Sequence, residues 1–187
     1  CIEVTGNRVS ARAFGNEKIA RGPNDKVVLA VPARQATTLL PSISAPTQFV
    51  SILNGHFRCE PPKDTPPILG VVNGLVEWVF PFKERLSITI SAADRLMNAP
   101  REQLAQDIWD DLKKTTGVTG DLPRWQIVRE RRATFAATPE QNALRPGTAT
   151  EWSNLVLAGD WTATGLPSTS EGSSQSGDKA GEHIINA

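Results

Sequence analysis

The sequence predicts an α+β protein: a mixed, largely antiparallel sheet with covering helices, joined to a few strands and a last helix that belong to a separate α/β layer. Three observations carry this prediction. Short strand-like segments broken by Gly-Asn and Pro-rich turns fill much of residues 1–92. An apolar run at three-to-four spacing follows Pro100. The continuously apolar Val27–Val31 and the strand Asn154–Ala158, apolar from Leu155 on, lie far apart in the chain, and a helix start follows the second.

Composition sets the bounds. At 187 residues with 39% hydrophobic content, the chain has enough apolar surface for one domain, or one domain and part of another. Lys and Arg number 20 and Asp and Glu number 20, so there is no net basic field, which argues against a nucleic-acid partner. Cys1 and Cys59 have no CxxC spacing, and His56 and His183 are the only histidines, so neither a metal site nor a disulfide framework is expected. Cys59 reads as a small, half-buried apolar residue. No run approaches the roughly 20 apolar residues of a spanning helix, and the start lacks a signal-peptide layout. The expectation is therefore a cytoplasmic protein. Beginning at Cys1 and running straight into a strand, the chain reads as a piece of a longer one.

Residues 1–46 form a meander and a strand. Ile2–Thr5 and Arg8–Phe14 flank Gly6-Asn7, Gly15-Asn16 follows, a short strand lies near Ile19, and Gly22-Pro23-Asn24-Asp25 precedes Val27–Val31. That last strand is apolar throughout, the pattern of a strand covered on both faces, and Pro32 ends it.

Residues 47–150 form a second block, with strands expected at Phe49–Phe57, Ile68–Val72, Glu77–Phe80 and Leu86–Ser91. The Pro-rich Glu60–Pro67 and Asn73-Gly74 separate them. Asn98-Ala99-Pro100 opens a helix through Lys114. Its Leu104, Ile108, Trp109 and Leu112 share the face that covers the sheet, and Gly117 lies beyond its end. Trp125–Phe135 is a further strand and Thr138–Gly147 a loop. Residues 151–187 hold strand Asn154–Ala158, a Gly/Thr/Pro turn, and a helix from about Thr169 to Ile185.

The chemically informative stretch is this strand-turn-helix, Leu155-Val156-Leu157-Ala158-Gly159-Asp160-Trp161-Thr162 through Gly165-Leu166-Pro167-Ser168-Thr169. Ser168 or Thr169 is placed to cap the helix. A carboxylate at a strand end can accept hydrogen bonds from sugar-like hydroxyls, and a helix start favours negative charge. On the residues alone, a plain strand-turn-helix with Asp160 as turn former stands equally well.

The segment Gly-Asp-Trp-Thr-x-Thr-Gly-Leu-Pro resembles the C-terminal flavin motif of the amine-oxidase and phytoene-desaturase superfamily, in the form found in its squalene-associated branch, the hydroxysqualene dehydroxylases. Val27-Val28-Leu29-Ala30-Val31-Pro32, Asn54-Gly55-His56-Phe57-Arg58 and Arg129–Phe135 resemble the same group, in the same order. The resemblance implies that residues 1–46 and 151–187 belong to an FAD-binding domain and residues 47–150 to a substrate-binding domain. Gly159, Asp160, Trp161, Gly165, Leu166, Pro167, Ser168 and Thr169 are implied to line FAD, with Asp160 on the ribityl chain.

The activity implied is reduction of hydroxysqualene to squalene, in which an allylic cation is quenched by hydride from the reduced flavin. A carotenoid or phytoene desaturase is the alternative. The implied partners are an N-terminal dinucleotide-binding half, an isoprenoid lipid substrate and, transiently, the inner face of a membrane. No G-x-G-x-x-G occurs, so this chain alone is expected to hold FAD poorly and to be catalytically silent.

Three further features have two readings each. His56 is a satisfied structural histidine by default, or a pocket residue. Trp78, Phe80 and Phe82 share one strand face, as core or as an aromatic wall for a polyprene. The charges of Arg129–Arg132 read as a solvated face, although the resemblance raises Arg131 and Arg132 as pocket candidates. On the last helix, Ser170, Ser173, Ser174 and Gln175 stand where the family has apolar or small residues, which reads as a solubilised face.

Overall fold

The Gly-Asn turns fold the start of the chain back on itself twice. In the computed structural model, which describes residues 1–186, this gives β1 (Ile2–Thr5), β2 (Arg8–Phe14) and β3 (Glu17–Ala20), paired antiparallel in that order. There follow β4 (Val27–Leu29), α1 (Ala33–Leu39), β5 (Phe49–Phe57), β6 (Leu69–Gly70), β7 (Trp78–Phe82) and β8 (Arg85–Ile90). A 3-10 turn at Ala93–Leu96 leads to α2 (Arg101–Thr116), β9 (Trp125–Phe135), α3 (Pro139–Ala143), β10 (Leu155–Leu157) and α4 (Ser170–Ile185).

The chain forms two compact units, Cys1–Gln48 with Thr134–Ala187, and Phe49–Ala133. Residues 134–150, expected with the central block, have their contacts in the first unit instead. Gln141 shows why: it is buried, and its side-chain oxygen accepts the backbone N–H groups of Thr47 (2.7 Å) and Gln48 (3.0 Å). Helices α1 and α3 were not expected. Both are short and lack a full amphipathic repeat, and α3 is set by Thr138, whose hydroxyl caps the Gln141 N–H, and by Pro139 in its first turn.

In the first unit β10 and β4 pair in parallel, Leu155 with Val27 and Leu157 with Leu29. Asn154 locks the meander to this pair. It is 2% exposed, accepts the Val9 N–H at 2.8 Å, and donates to Val9 O and Asp25 O. Helix α4 packs Ala180 and Ile184 on Val156 and Ala158. The expectation that Val27–Val31 is covered on both faces does not hold: Val28 is 46% exposed. Among the described residues only β10 pairs with β4, and the groove of about 520 Å³ beside it is lined by Val28, Ala30 and Val31 together with Arg12, Arg21 and Lys26.

In the second unit the sheet runs β6-β7-β8-β5-β9. Alternation sorts β5 cleanly, with Ser51, Leu53, Gly55 and Phe57 inward and Ile52, Asn54 and His56 outward. The inward face packs against Leu104, Ala105, Ile108, Trp109 and Leu112 of α2, the stripe its spacing predicts. Trp109 stacks on Phe57 at 5.7 Å and donates its indole N–H to Gly120 O. Gly117 ends α2 in the left-handed region at φ 76°, where a Cβ would be strained. On β7 Val79, not the aromatic residues, enters the core. Trp78 and Phe82 are 46% and 50% exposed and Phe80 is half-buried. Core packing is thus removed as the account of that stripe.

Candidate functional site

The site in the first unit grows from the C-terminal edge of the parallel pair, the edge at which open α/β sheets bind ligands. Just past β10, Gly159 takes φ 144° with its N–H donated to Ser176 Oγ of α4 at 2.7 Å. A Cβ there would lie 2.5 Å from the indole nitrogen of Trp161, so glycine is required on both counts. Trp161, expected to contact the cofactor, is instead 2% exposed and donates its indole N–H to Val31 O at 2.8 Å. It ties the end of β4 to the turn. A buried tryptophan whose N–H finds a carbonyl positions the loop around it and has no face left for a ligand.

Asp160 is half-buried, and one of its carboxylate oxygens accepts the Ser168 hydroxyl. Arg145 grips the same turn from below. One guanidinium nitrogen donates to Asp160 O (3.2 Å), to Thr162 O and to Thr164 Oγ1 (3.2 Å), while the other reaches Asn142 Oδ1, and the group lies 4.9 Å from the centre of the Phe135 ring. Burial pushes the Arg145 pKa down, and the negative charge of Asp160 opposes that shift; a guanidinium nonetheless stays charged. Nothing in residues 138–147 marks Arg145 beforehand, because its partners are mostly backbone carbonyls of a turn whose course no periodicity reveals.

Beyond Asp160, Gly165 is exposed at φ 88° and the Leu166 N–H donates to Thr164 Oγ1. The Pro167 carbonyl accepts the Thr169 hydroxyl at 3.3 Å. Of the two expected caps Thr169 is the one used, accepting the Gly172 N–H at 3.1 Å, while Ser168 serves Asp160. The first turn of α4 therefore presents its remaining N–H groups beside a carboxylate and two exposed turn positions. Donors at a helix start together with a carboxylate suit a ligand that brings both partial negative charge and hydroxyl groups. Ser170, Ser173 and Ser174 lie exposed on α4 and Gln175 is half-buried.

In the second unit the outward sheet face gathers His56, Trp78 and Phe80. His56 pairs with Ser87, which pairs with Phe80; one row along, Asn54, Thr89 and Trp78 stand in the same relation. His56 Nδ1 is 2.9 Å from Ser87 Oγ, and Thr89 Oγ1 donates to Asn54 Oδ1 at 2.7 Å. Desolvation first, and the charge of Arg85 second, hold the His56 pKa below its usual value. Arg131 does not join this face. Its guanidinium donates to Met97 O and Asn98 Oδ1 on the helix side, as Arg129 does to Ala99 O. Arg132, one residue on, alternates to the outward face, where its own backbone N–H is held by Glu130 Oε1.

A parallel strand pair meeting a helix start through a Gly-Asp turn in one unit, and an antiparallel sheet covered by a helix in the other, define an α/β layer and a separate α+β unit. The chain belongs to the flavin-containing amine oxidoreductase family, whose family model matches residues 1–185. It is 56% identical over 187 residues to a hydroxysqualene dehydroxylase of Rhodopseudomonas palustris, covering 100% of this chain and 45% of that protein. It is 59% identical over 174 residues to one of Sinorhizobium fredii, covering 93% and 42%. The chain thus spans less than half the length of these curated relatives. Among solved structures, an oxidoreductase from Methanosarcina mazei shares the fold at a TM-score of 0.58 and 12% identity, covering 97% of this chain and 47% of that one.

Proposed function

We propose that this chain is part of an FAD-dependent enzyme that converts hydroxysqualene to squalene. In this reading the first unit contributes one side of the flavin site and the second the substrate wall. The carrying observation is the Asp160 turn, a carboxylate fixed at the end of a buried parallel strand beside the start of α4 and clamped by Arg145. Asp160 and the α4 N-terminus would hold the ribityl chain and the electron-rich end of the ring. When bound, the flavin supplies the reducing equivalents.

The other roles fall to the chain's own residues. Ser168 and Arg145 orient the turn, Trp161 and Gly159 fix its distance from β4, and Trp78 and Phe80 give the isoprenoid an apolar surface. The family likeness and the names of the two relatives support the substrate, and the exposed aromatic stripe suits it. The whole protein would pair this chain with a dinucleotide-binding half, work in the cytoplasm and touch the inner membrane face transiently to collect its lipid. Among the described residues no helix is long and apolar enough to cross a membrane.

The test uses the full-length protein. Hydroxysqualene with reduced FAD should yield squalene, whereas an absorbing product with added conjugated double bonds would identify a desaturase instead. Asp160→Asn should weaken FAD binding by roughly tenfold or more, the size of a lost hydrogen bond to a charged group. Titrated alone, this chain should quench FAD fluorescence only weakly.

A further inference from the structure

The outward sheet face sets two aromatic residues, Trp78 and Phe80, in rows with the polar pairs Asn54–Thr89 and His56–Ser87. His56 uses Nδ1 on Ser87, and among the described residues Nε2 has no protein partner, nor does it figure among the buried polar atoms that lack one. Nε2 is therefore uncommitted among the described residues, on a half-buried side chain of the face that carries Trp78 and Phe80. Holding Ser87 needs only Nδ1. A ligand laid over the stripe strips water from Nε2, and a pure hydrocarbon returns nothing for it.

We infer that His56 is the alcohol-recognition point of this wall: Nε2 hydrogen-bonds the single hydroxyl of the isoprenoid substrate, and Ser87 is the positioning residue that orients the ring. This deepens the function proposed above and rests on it. Substrate and product differ here by that one oxygen, so the same contact that favours binding of the alcohol favours release of the hydrocarbon. The aromatic residues set affinity for both, and His56 sets the difference between them.

The experiment compares binding of hydroxysqualene and squalene to the FAD-loaded full-length protein, with thermal melts in parallel. The wild type should prefer the alcohol by about tenfold, the size one neutral hydrogen bond and its desolvation support. His56→Phe should bring the two affinities near parity, weakening hydroxysqualene through the lost hydrogen bond and tightening squalene because no Nε2 is left to desolvate, with FAD affinity unchanged. His56→Gln, which keeps a polar end, should restore part of the preference, and Ser87→Ala should lose part of it. If His56→Phe does not fold, the two milder variants carry the same comparison. A wild type without preference, or variants that keep it in full, overturns the inference while leaving squalene formation intact. A wild type that makes no squalene overturns the substrate reading, and this inference with it.

Discussion

The two units treat their polar groups in opposite ways. Around Asp160 nearly every donor and acceptor is committed to holding the turn: Arg145 to backbone carbonyls, Ser168 to Asp160, Thr169 to the helix start, Trp161 to Val31. On the outward sheet face Asn54 and His56 each use one polar atom within the sheet and leave another open. On the proposed function, the first arrangement would fix backbone geometry for a ligand of constant shape. The second would leave recognition to side chains on a rigid ladder, where a substitution alters preference without moving the scaffold.

The largest effect that separates the units comes from their buried tryptophans. Trp109→Ala removes a fully buried ring stacked on Phe57 and should cost about 3–5 kcal/mol. Urea unfolding should show this as a lowered midpoint in the transition of the second unit. Coincident loss of both units at the same midpoint would mean that they unfold as one, and would break the comparison at the level of stability.

Next in size is Arg145→Ala, expected to cost about 2–3 kcal/mol, because charge-assisted hydrogen bonds to the turn are lost and acceptors are left bare. Amide exchange at Thr162 and Ala163, whose N–H groups bond Gly159 O and Pro146 O, should rise while exchange in β5 and β8 stays unchanged. Arg145→Lys should not rescue it, since an ammonium cannot reproduce the fork.

Much of this fold was legible in the residues because local chemistry and tertiary structure agree. The Gly-Asn turns, the Pro100 helix start, Gly117 and the period-two pattern of Phe49–Phe57 all name their own conformations. Asp160 stood out as a candidate because a Gly-Asp at the end of an apolar strand is a local signal. What stayed hidden depends on partners distant in sequence. Arg145 acts on a turn 15 to 19 residues away, and Gln141 on backbone 93 to 94 residues away. Trp161 looked like a ligand contact because nothing local shows that Val31 O, 130 residues earlier, takes its N–H. Arg131 and Arg132 looked alike until strand alternation sent them to opposite faces.

A smaller effect tests whether the α4 start is set by its cap. Thr169→Ala removes the acceptor for the Gly172 N–H and should cost about 1 kcal/mol. Circular dichroism should register the loss as fraying of α4, and FAD affinity of the full-length protein should fall modestly with it. An unchanged helix would mean that packing of Ala180 and Ile184 alone fixes the start.

The smallest effect belongs to His56. Desolvation and Arg85 disfavour its charged form in the folded chain, so its folded pKa lies below the unfolded value of about 6.5. Below that value the unfolded chain binds the proton more readily than the folded one, and stability must fall as pH drops from about 6.5 through the depressed pKa. Above about 6.5 both states are neutral at this residue and it contributes no slope. Carboxylates titrate in the lower part of the same range, so the informative quantity is the difference between wild type and His56→Gln. The wild type should lose more stability than the variant between about pH 7 and pH 5, and the two should run parallel above it. A wild type that instead gained on the variant with acid would mean that His56 is charged in the fold, and the face would then recognise an anion, not an alcohol.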